Sequence, residues 1–239
     1  MTTIWTVIRS AEFTATAYRV RLLPAPIEPS LRMRLLSAER GASMARGNAR
    51  GRPSTISARA LPLMSAVVGS DDRDRLVGGV RLHARSASVP LPGERRLREP
   101  ELTQEFEHSL AADIGEVCGC WVSAELRETG FSDILLLAAL ASLPLLGIRR
   151  AVAFVDGSLG SDYERMGLHV DRTRPLTALG GERAAHVARW HVGEPEFAGS
   201  PWREVLEAMS GLLRDSNAFA VERRTLSSEA SEPVSLHRG

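Results

Sequence analysis

The sequence predicts an α/β domain, and three observations carry that prediction. A helix-length apolar run at residues 133–147 is flanked by strand-like segments at 116–123 and 149–155. Two β-rich runs, 63–69 and 76–85, are joined by the polar turn SDDRDR, which is a hairpin signal. Amphipathic helical periodicity recurs at 101–115 and 202–214. With 239 residues, 44% of them hydrophobic and 25% charged, the chain is long enough to bury a core and too apolar to be disordered throughout.

Taken in order, residues 13–23 alternate as a strand, PAPIEPS breaks it, and Ser30 is placed to cap a helix running to about Glu39. Residues 40–60, rich in Arg, Gly and Ser, read as a flexible loop. The hairpin follows, and 81–98 holds too much Pro and Arg for a regular element. Pro100 then opens a segment with acids in its first turn and Leu102, Phe106 and Leu110 at helical spacing. After the strand at 116–123, the helix at 133–147 is apolar on all faces, which marks it as buried. A strand at 149–155, a short helix at 161–166 and strands at 176–179 and 188–192 come next. The last helix, 202–214, aligns Trp202, Leu206, Met209 and Leu213 on one face, suited to packing on the sheet or to a homodimer contact. Residues 227–239 should form a disordered tail.

Composition excludes several function classes. The longest apolar stretch, 134–148, is interrupted by Ser142 and Pro144 and is too short to span a bilayer. The N-terminus lacks an export signal, so a cytoplasmic protein is expected. Cys118 and Cys120, the only cysteines, stand two apart; they build no disulfide framework and no metal site by themselves, and none is expected. Every one of the thirty basic residues is arginine, which removes Schiff-base lysine chemistry and a P-loop lysine. Charge is segregated: residues 1–60 hold ten Arg against three Glu, while 99–133 hold nine acids against Arg127 alone. That asymmetry favours an anionic ligand or partner toward the N-terminal side.

The segment from Cys120 to Leu168 carries a resemblance. Val122-Ser-Ala-Glu-Leu-Arg127-Glu-Thr-Gly130-Phe-Ser132 resembles the acyl-CoA-binding signature V-x-P-x-x-(Q/R)-x-x-G-x-(G/A) of the GNAT superfamily of N-acetyltransferases, with Ala124 in place of proline and Ser132 in place of the second small residue. Tyr163-Glu-Arg-Met-Gly167-Leu168 is similar to that family's Y-E-K-L-G-F, and Asp156 precedes the tyrosine by seven positions, where the family often has Asn. A narrower likeness links Glu116 through Val122 to the E-x-x-R-x-x-V strand, and Gly79-Val-Arg81-Leu82 to the G-x-R-L hairpin, of the autoinducer synthases and N-acyl amino acid synthases. Gly119 stands where their arginine would be.

The resemblance implies a single GNAT-like acyltransferase domain over residues 1–226, a central mixed sheet flanked by helices, with the donor thioester held where strands near Val122 and Val155 splay apart. The donor would be an acyl-CoA or an acyl carrier protein thioester, and the acceptor a small-molecule amine. Val122 would bind through its backbone N–H; Arg127, Gly130 and Ser132 would hold the pyrophosphate, and Asp156 would border the same site. Glu116 would take the amine proton and Tyr163 would protonate the departing thiolate. The physics agrees: a strand end, a glycine turn and a helix start aim N–H groups at an anion, and a phenol with a pKa near 10 suits a proton donor.

Other readings of the same residues stay open. Tyr163 also suits a core tyrosine at a helix end, and Glu116 a rim carboxylate. Strand alternation puts Glu116, Cys118, Cys120 and Val122 on one face and Trp121 on the other unless a bulge intervenes. The cysteines suit an acyl-accepting nucleophile or, better, small buried residues. Of the six histidines only His83, two residues after Arg81 on the same hairpin face, is placed to reach an acceptor pocket, and a surface or structural role suits each of them better. Arg46, Arg50 and Arg52 suit docking of acidic carrier protein, the ribose phosphate of CoA, or a solvated loop; absent aromatic residues and near-neutral charge argue against nucleic acid. A binding protein without turnover and a thioester decarboxylase are the rival functions.

Overall fold

The computed structural model describes residues 2–8, 17–45, 64–97, 113–156, 160–177, 184–191 and 202–226. Among these residues nine strands form one sheet: β1 (Thr2–Ile8), β2 (Ala17–Leu23), β3 (Met64–Ser70), β4 (Leu76–Ala84), β5 (Ile114–Val122), β6 (Arg150–Asp156), β7 (His169–Thr177), β8 (Ala184–His191) and β9 (Ala218–Leu226). Their order is β1-β9-β2-β3-β4-β5-β6-β8-β7. Every neighbouring pair is antiparallel except β5 and β6, which makes the sheet mixed. The helices are α1 (Pro29–Met44), α2 (Pro92–Leu97), α3 (Phe131–Ser142), α4 (Gly160–Arg165) and α5 (Arg203–Ser216).

The apolar helix is the centre of the main core. Every residue of α3 from Ile134 to Ser142 is buried, because one side meets Val20, Val67, Val80 and Val117 of the sheet and the other meets Met209 and Leu213 of α5. The expected α5 face is therefore packed inward. Leu143 and Pro144 stop α3, and Gly147, at φ 72, turns the chain toward β6.

Among the described residues the opposite face of the sheet carries two smaller apolar clusters. Ala66 and Val68 alternate with Val67 and point away from α3, where they meet Leu35 and Ile27 from α1 and the segment before it. Only Leu35 of α1 is buried.

Several expectations need correction. The cap of α1 is Glu28, not Ser30: its carboxylate accepts the N–H groups of Ser30 and Leu31, both at 2.9 Å, and Pro29 occupies the first turn. The helix then runs to Met44, into the segment expected as loop; residues 46–63, with Arg46, Arg50 and Arg52, lie outside the described residues. Within 81–98, β4 extends to Ala84 and α2 adds a turn, because Glu94 accepts the Leu91 N–H at 2.6 Å and the Arg85 guanidinium at 2.9 Å. The expected helix at 101–115 and the tail lie outside the described residues, apart from Asp113 and the first two residues of β5, Ile114 and Gly115. Strands β1 and β9 were not foreseen. They matter, since β9 fills the position between β1 and β2.

No helix among the described residues is long and apolar enough to cross a membrane.

Ending the chain at Asn217 should strip the antiparallel partner from both β1 and β2 and expose the buried Phe219 and Val221 contacts. The expected result is loss of soluble, cooperatively melting protein in circular dichroism and gel filtration. An unchanged melting temperature would make β9 dispensable.

Candidate active site

Strand β5 has two unequal neighbours. Its ladder with β4 runs from Ala84↔Gly115 to Gly78↔Val122, whereas its parallel ladder with β6 holds three pairs and ends at Glu116↔Val152. Beyond that pair β5 continues to Val122 and β6 to Asp156, the latter still paired with β8 on its far side.

A bulge interrupts β5 three residues further on. Gly79 faces Trp121 and Arg81 faces Cys118, so Val80 alone opposes Gly119 and Cys120. Gly119 adopts φ 61, which a residue with a β-carbon takes only with strain, and a β-carbon there would fall 2.5 Å from Arg81 Nε. The bulge reverses the alternation, correcting the sequence expectation. Trp121 joins Glu116 and Cys118 on the face under α1 and α2, while Val122 turns with Gly78 toward α3.

The turn after β5 is tightly specified. The Ser123 N–H donates to Val77 O at 2.7 Å, and a 3-10 turn, Ala124–Leu126, leads to Arg127. Glu128 and Gly130 both lie in the left-handed region, at φ 60 and φ 83. Between them Thr129 donates its hydroxyl to Leu126 O at 2.7 Å and accepts the Phe131 N–H at 3.3 Å. Gly130, not Ser132, holds the cap position of α3; Ser132 is the second helical residue, and its hydroxyl donates to Asp133 at 3.3 Å. Its backbone N–H therefore belongs to the first turn, where the carbonyl four residues back, that of Glu128, lies outside the helix and is not an intrahelical acceptor. Two nitrogens of Arg127, Nε and Nη2, are shielded from solvent and have no hydrogen-bond partner among the described residues, and the same holds for Ser123 Oγ.

The other wall follows β6. Asp156 ends that strand, paired with Ala185. Tyr163 lies on α4, half-buried and packed against the main core; its carbonyl accepts the N–H groups of Met166 and Leu168. The chain thus brings Val122, Arg127, Gly130 and Ser132 into one continuous strand-turn-helix unit, with Asp156 and Tyr163 on the neighbouring strand and the helix after it.

Glu116 sits deeper, on the face away from α3. It is 4% exposed, and its Oε2 accepts the Gly93 N–H of α2 at 2.6 Å. Around it the bulged strand assembles a buried charged cluster that sequence reading missed in part. Arg81 reaches across from β4 to pair with Glu39 of α1 at 2.9 Å, and its Nη1 lies 3.4 Å from His83 Nε2. Burial works against the Arg81 cation, but Cys118, Glu39 and Glu116 more than offset it and raise its pKa. Burial, then Arg81, pushes His83 down to about 3, so the ring is neutral. Burial pushes Cys118 up to about 12, with Glu116 and Glu39 adding and Arg81 opposing. Arg81 was legible as a lone charge in the G-x-R-L strand. Glu39, 42 residues away, left no local signal.

No family model and no curated protein matches the sequence. Solved structures do match. The chain is 14% identical to FeeM, an N-acyl amino acid synthase from uncultured soil microbes, over 81% of this chain and 100% of that one, with a TM-score of 0.56. It is 17% identical to BjaI, a CoA-dependent acyl-homoserine lactone synthase, over 81% of this chain and 90% of that one, at a TM-score of 0.51; one of its structures holds isopentyl-CoA. The chain has the GNAT acyltransferase fold.

Two outcomes follow from the cluster. Between pH 6.5 and about 3 the unfolded chain protonates His83 while the folded protein does not, so stability falls as pH drops through that window, by about 1.4 kcal/mol per unit. Urea unfolding at stepped pH should show this slope reduced by one proton in His83→Gln. With so little thiolate at pH 8, Cys118 should alkylate about 10³-fold more slowly than an ordinary cysteine, measured in a Cys120→Ser background, and Cys118→Ser should retain turnover.

Proposed function

We propose that the protein is an N-acyltransferase, moving an acyl group from a CoA or carrier-protein thioester to the amine of a small molecule. The observation that carries this reading is the early end of the β5–β6 ladder, followed directly by the Arg127–Gly130 turn. A strand edge released from its neighbour offers backbone N–H and C=O groups to an extended pantetheine arm. The turn beyond it offers an anion the first-turn N–H of Ser132, the positive end of α3, and the unmatched nitrogens of Arg127.

The residues present fit such a thioester. Val122 would donate its N–H to the acyl oxygen as negative charge develops there, and Arg127, Gly130 and Ser132 would take the pyrophosphate. Asp156, at the end of the facing strand, borders the same gap. Glu116 accepts the amine proton, directly or through water, and Tyr163 returns a proton to the sulfur. Isopentyl-CoA in a BjaI structure and the activity named for FeeM support the donor and acceptor classes.

The test is release of free thiol from acetyl-CoA, longer acyl-CoAs and acyl carrier protein, with and without added amines; release only with an amine supports transfer, and release without one supports decarboxylation. Arg127→Ala should weaken CoA binding in calorimetry by about tenfold or more, the worth of one charge-assisted contact. Tyr163→Phe should keep CoA affinity and lose about 10² to 10⁴ in kcat. Unchanged kcat would leave water as the proton donor.

A further inference from the structure

We propose that two facing glycines, Gly69 and Gly78, form a gauge that sets the height of the first turn of α3 above the sheet, and through it the affinity for the nucleotide part of the donor. The inference rests on the donor site proposed above and names residues that position it without touching the ligand.

The two glycines are cross-strand partners in β3 and β4, and Gly78 is in turn the partner of Val122, the last residue of β5. Neither has a left-handed φ, so backbone conformation does not call for glycine at either place. What calls for it is the helix. A β-carbon on Gly69 would lie 2.7 Å from Cε1 and Cζ of Phe131, and one on Gly78 would lie 2.6 Å from Leu135 Cδ1. Phe131 and Leu135 are four residues apart on α3 and share a face, so the pair of missing side chains makes a notch into which one helical turn drops.

The notch cannot yield sideways. Phe131 is fully buried, and the Tyr18 ring stands against it with centroids 5.3 Å apart. Restoring an ordinary carbon contact of about 3.5–4.0 Å from 2.7 Å needs a shift of about 1 Å, and the helix must supply it. Phe131 is the residue directly after Gly130, whose turn carries the anion-facing N–H groups. A displacement of that size takes an N–H···O contact from the hydrogen-bond range to beyond it.

Calorimetry with CoA, together with kinetics on acyl-CoA and on the same acyl group as an N-acetylcysteamine thioester, tests the gauge. Gly69→Ala should weaken CoA binding tenfold or more and raise KM for acyl-CoA, with kcat at saturating donor little changed. KM for the short thioester, which has no pyrophosphate, should stay as it is. Phe131→Leu in the Gly69→Ala background should restore CoA affinity, and this double variant covers the case in which the single one folds poorly. Equal CoA affinity in wild type and a folded Gly69→Ala would overturn the gauge while leaving the donor site standing. So would a double variant that is folded but not rescued, or equal loss for both donors. Wild-type protein that binds no CoA would overturn the donor site and the gauge together.

Discussion

Strand β5 is bound to β4 along its length and to β6 over three pairs only, and the rest of the site depends on that imbalance. A strand held on both sides has no backbone groups to lend. Once β6 departs after Val152, β5 needs β4 alone to keep its direction, and the bulge at Gly119 changes which side chains that direction presents. Below the bulge the strand sends Glu116 and Cys118 into the α1 and α2 side. Above it, Val122 faces α3 and feeds the Arg127–Gly130 turn. One extra residue thus separates the buried acid cluster from the turn, on opposite faces of the same strand.

The charged cluster is costly to bury and poorly explained by stability. Ion pairs inside proteins often contribute less than well-packed apolar side chains of similar volume would, because desolvation consumes the Coulombic gain. Glu39 and Arg81 nevertheless join α1 to the sheet where α1 buries only Leu35, and Gly93 ties α2 to Glu116. Two peripheral segments are therefore anchored on one acid-rich spot. Their registry with the sheet is set by directional contacts, which apolar packing as thin as that around Leu35 would not supply.

What the sequence made legible was local. The run Asp133 to Gly147 announced a buried helix, SDDRDR announced a hairpin, and Val122 through Ser132 announced a strand-turn-helix because glycine, arginine and a helix start fall within a few residues. What it concealed was pairing at a distance. Nothing in AFAVERRTL says that it will enter between Thr2–Ile8 and Ala17–Leu23, and nothing near Glu39 says that Arg81 awaits it. The bulge was concealed for a different reason: period-two alternation assumes an unbroken ladder, and Gly119 reads in sequence only as a missing arginine. Its left-handed φ and the Arg81 guanidinium against it give the glycine a cause.

A binding site that has lost its ligand through drift would be expected to lose its unmet polar groups as well, since a buried donor without a partner costs ~1–3 kcal/mol and apolar replacements are many. The turn after β5 keeps Arg127 Nε and Nη2 and Ser123 Oγ in that condition within five residues, beside Glu128 in a strained left-handed conformation. Backbone strain alone can serve a tight turn. Strain together with shielded donors is what the proposed donor site accounts for, an arriving anion supplying the partner. The released edge of β5 and the turn are continuous through Val122, so on the proposed reading a single extended ligand with an anionic end, such as a thioester on a phosphorylated arm, would meet both.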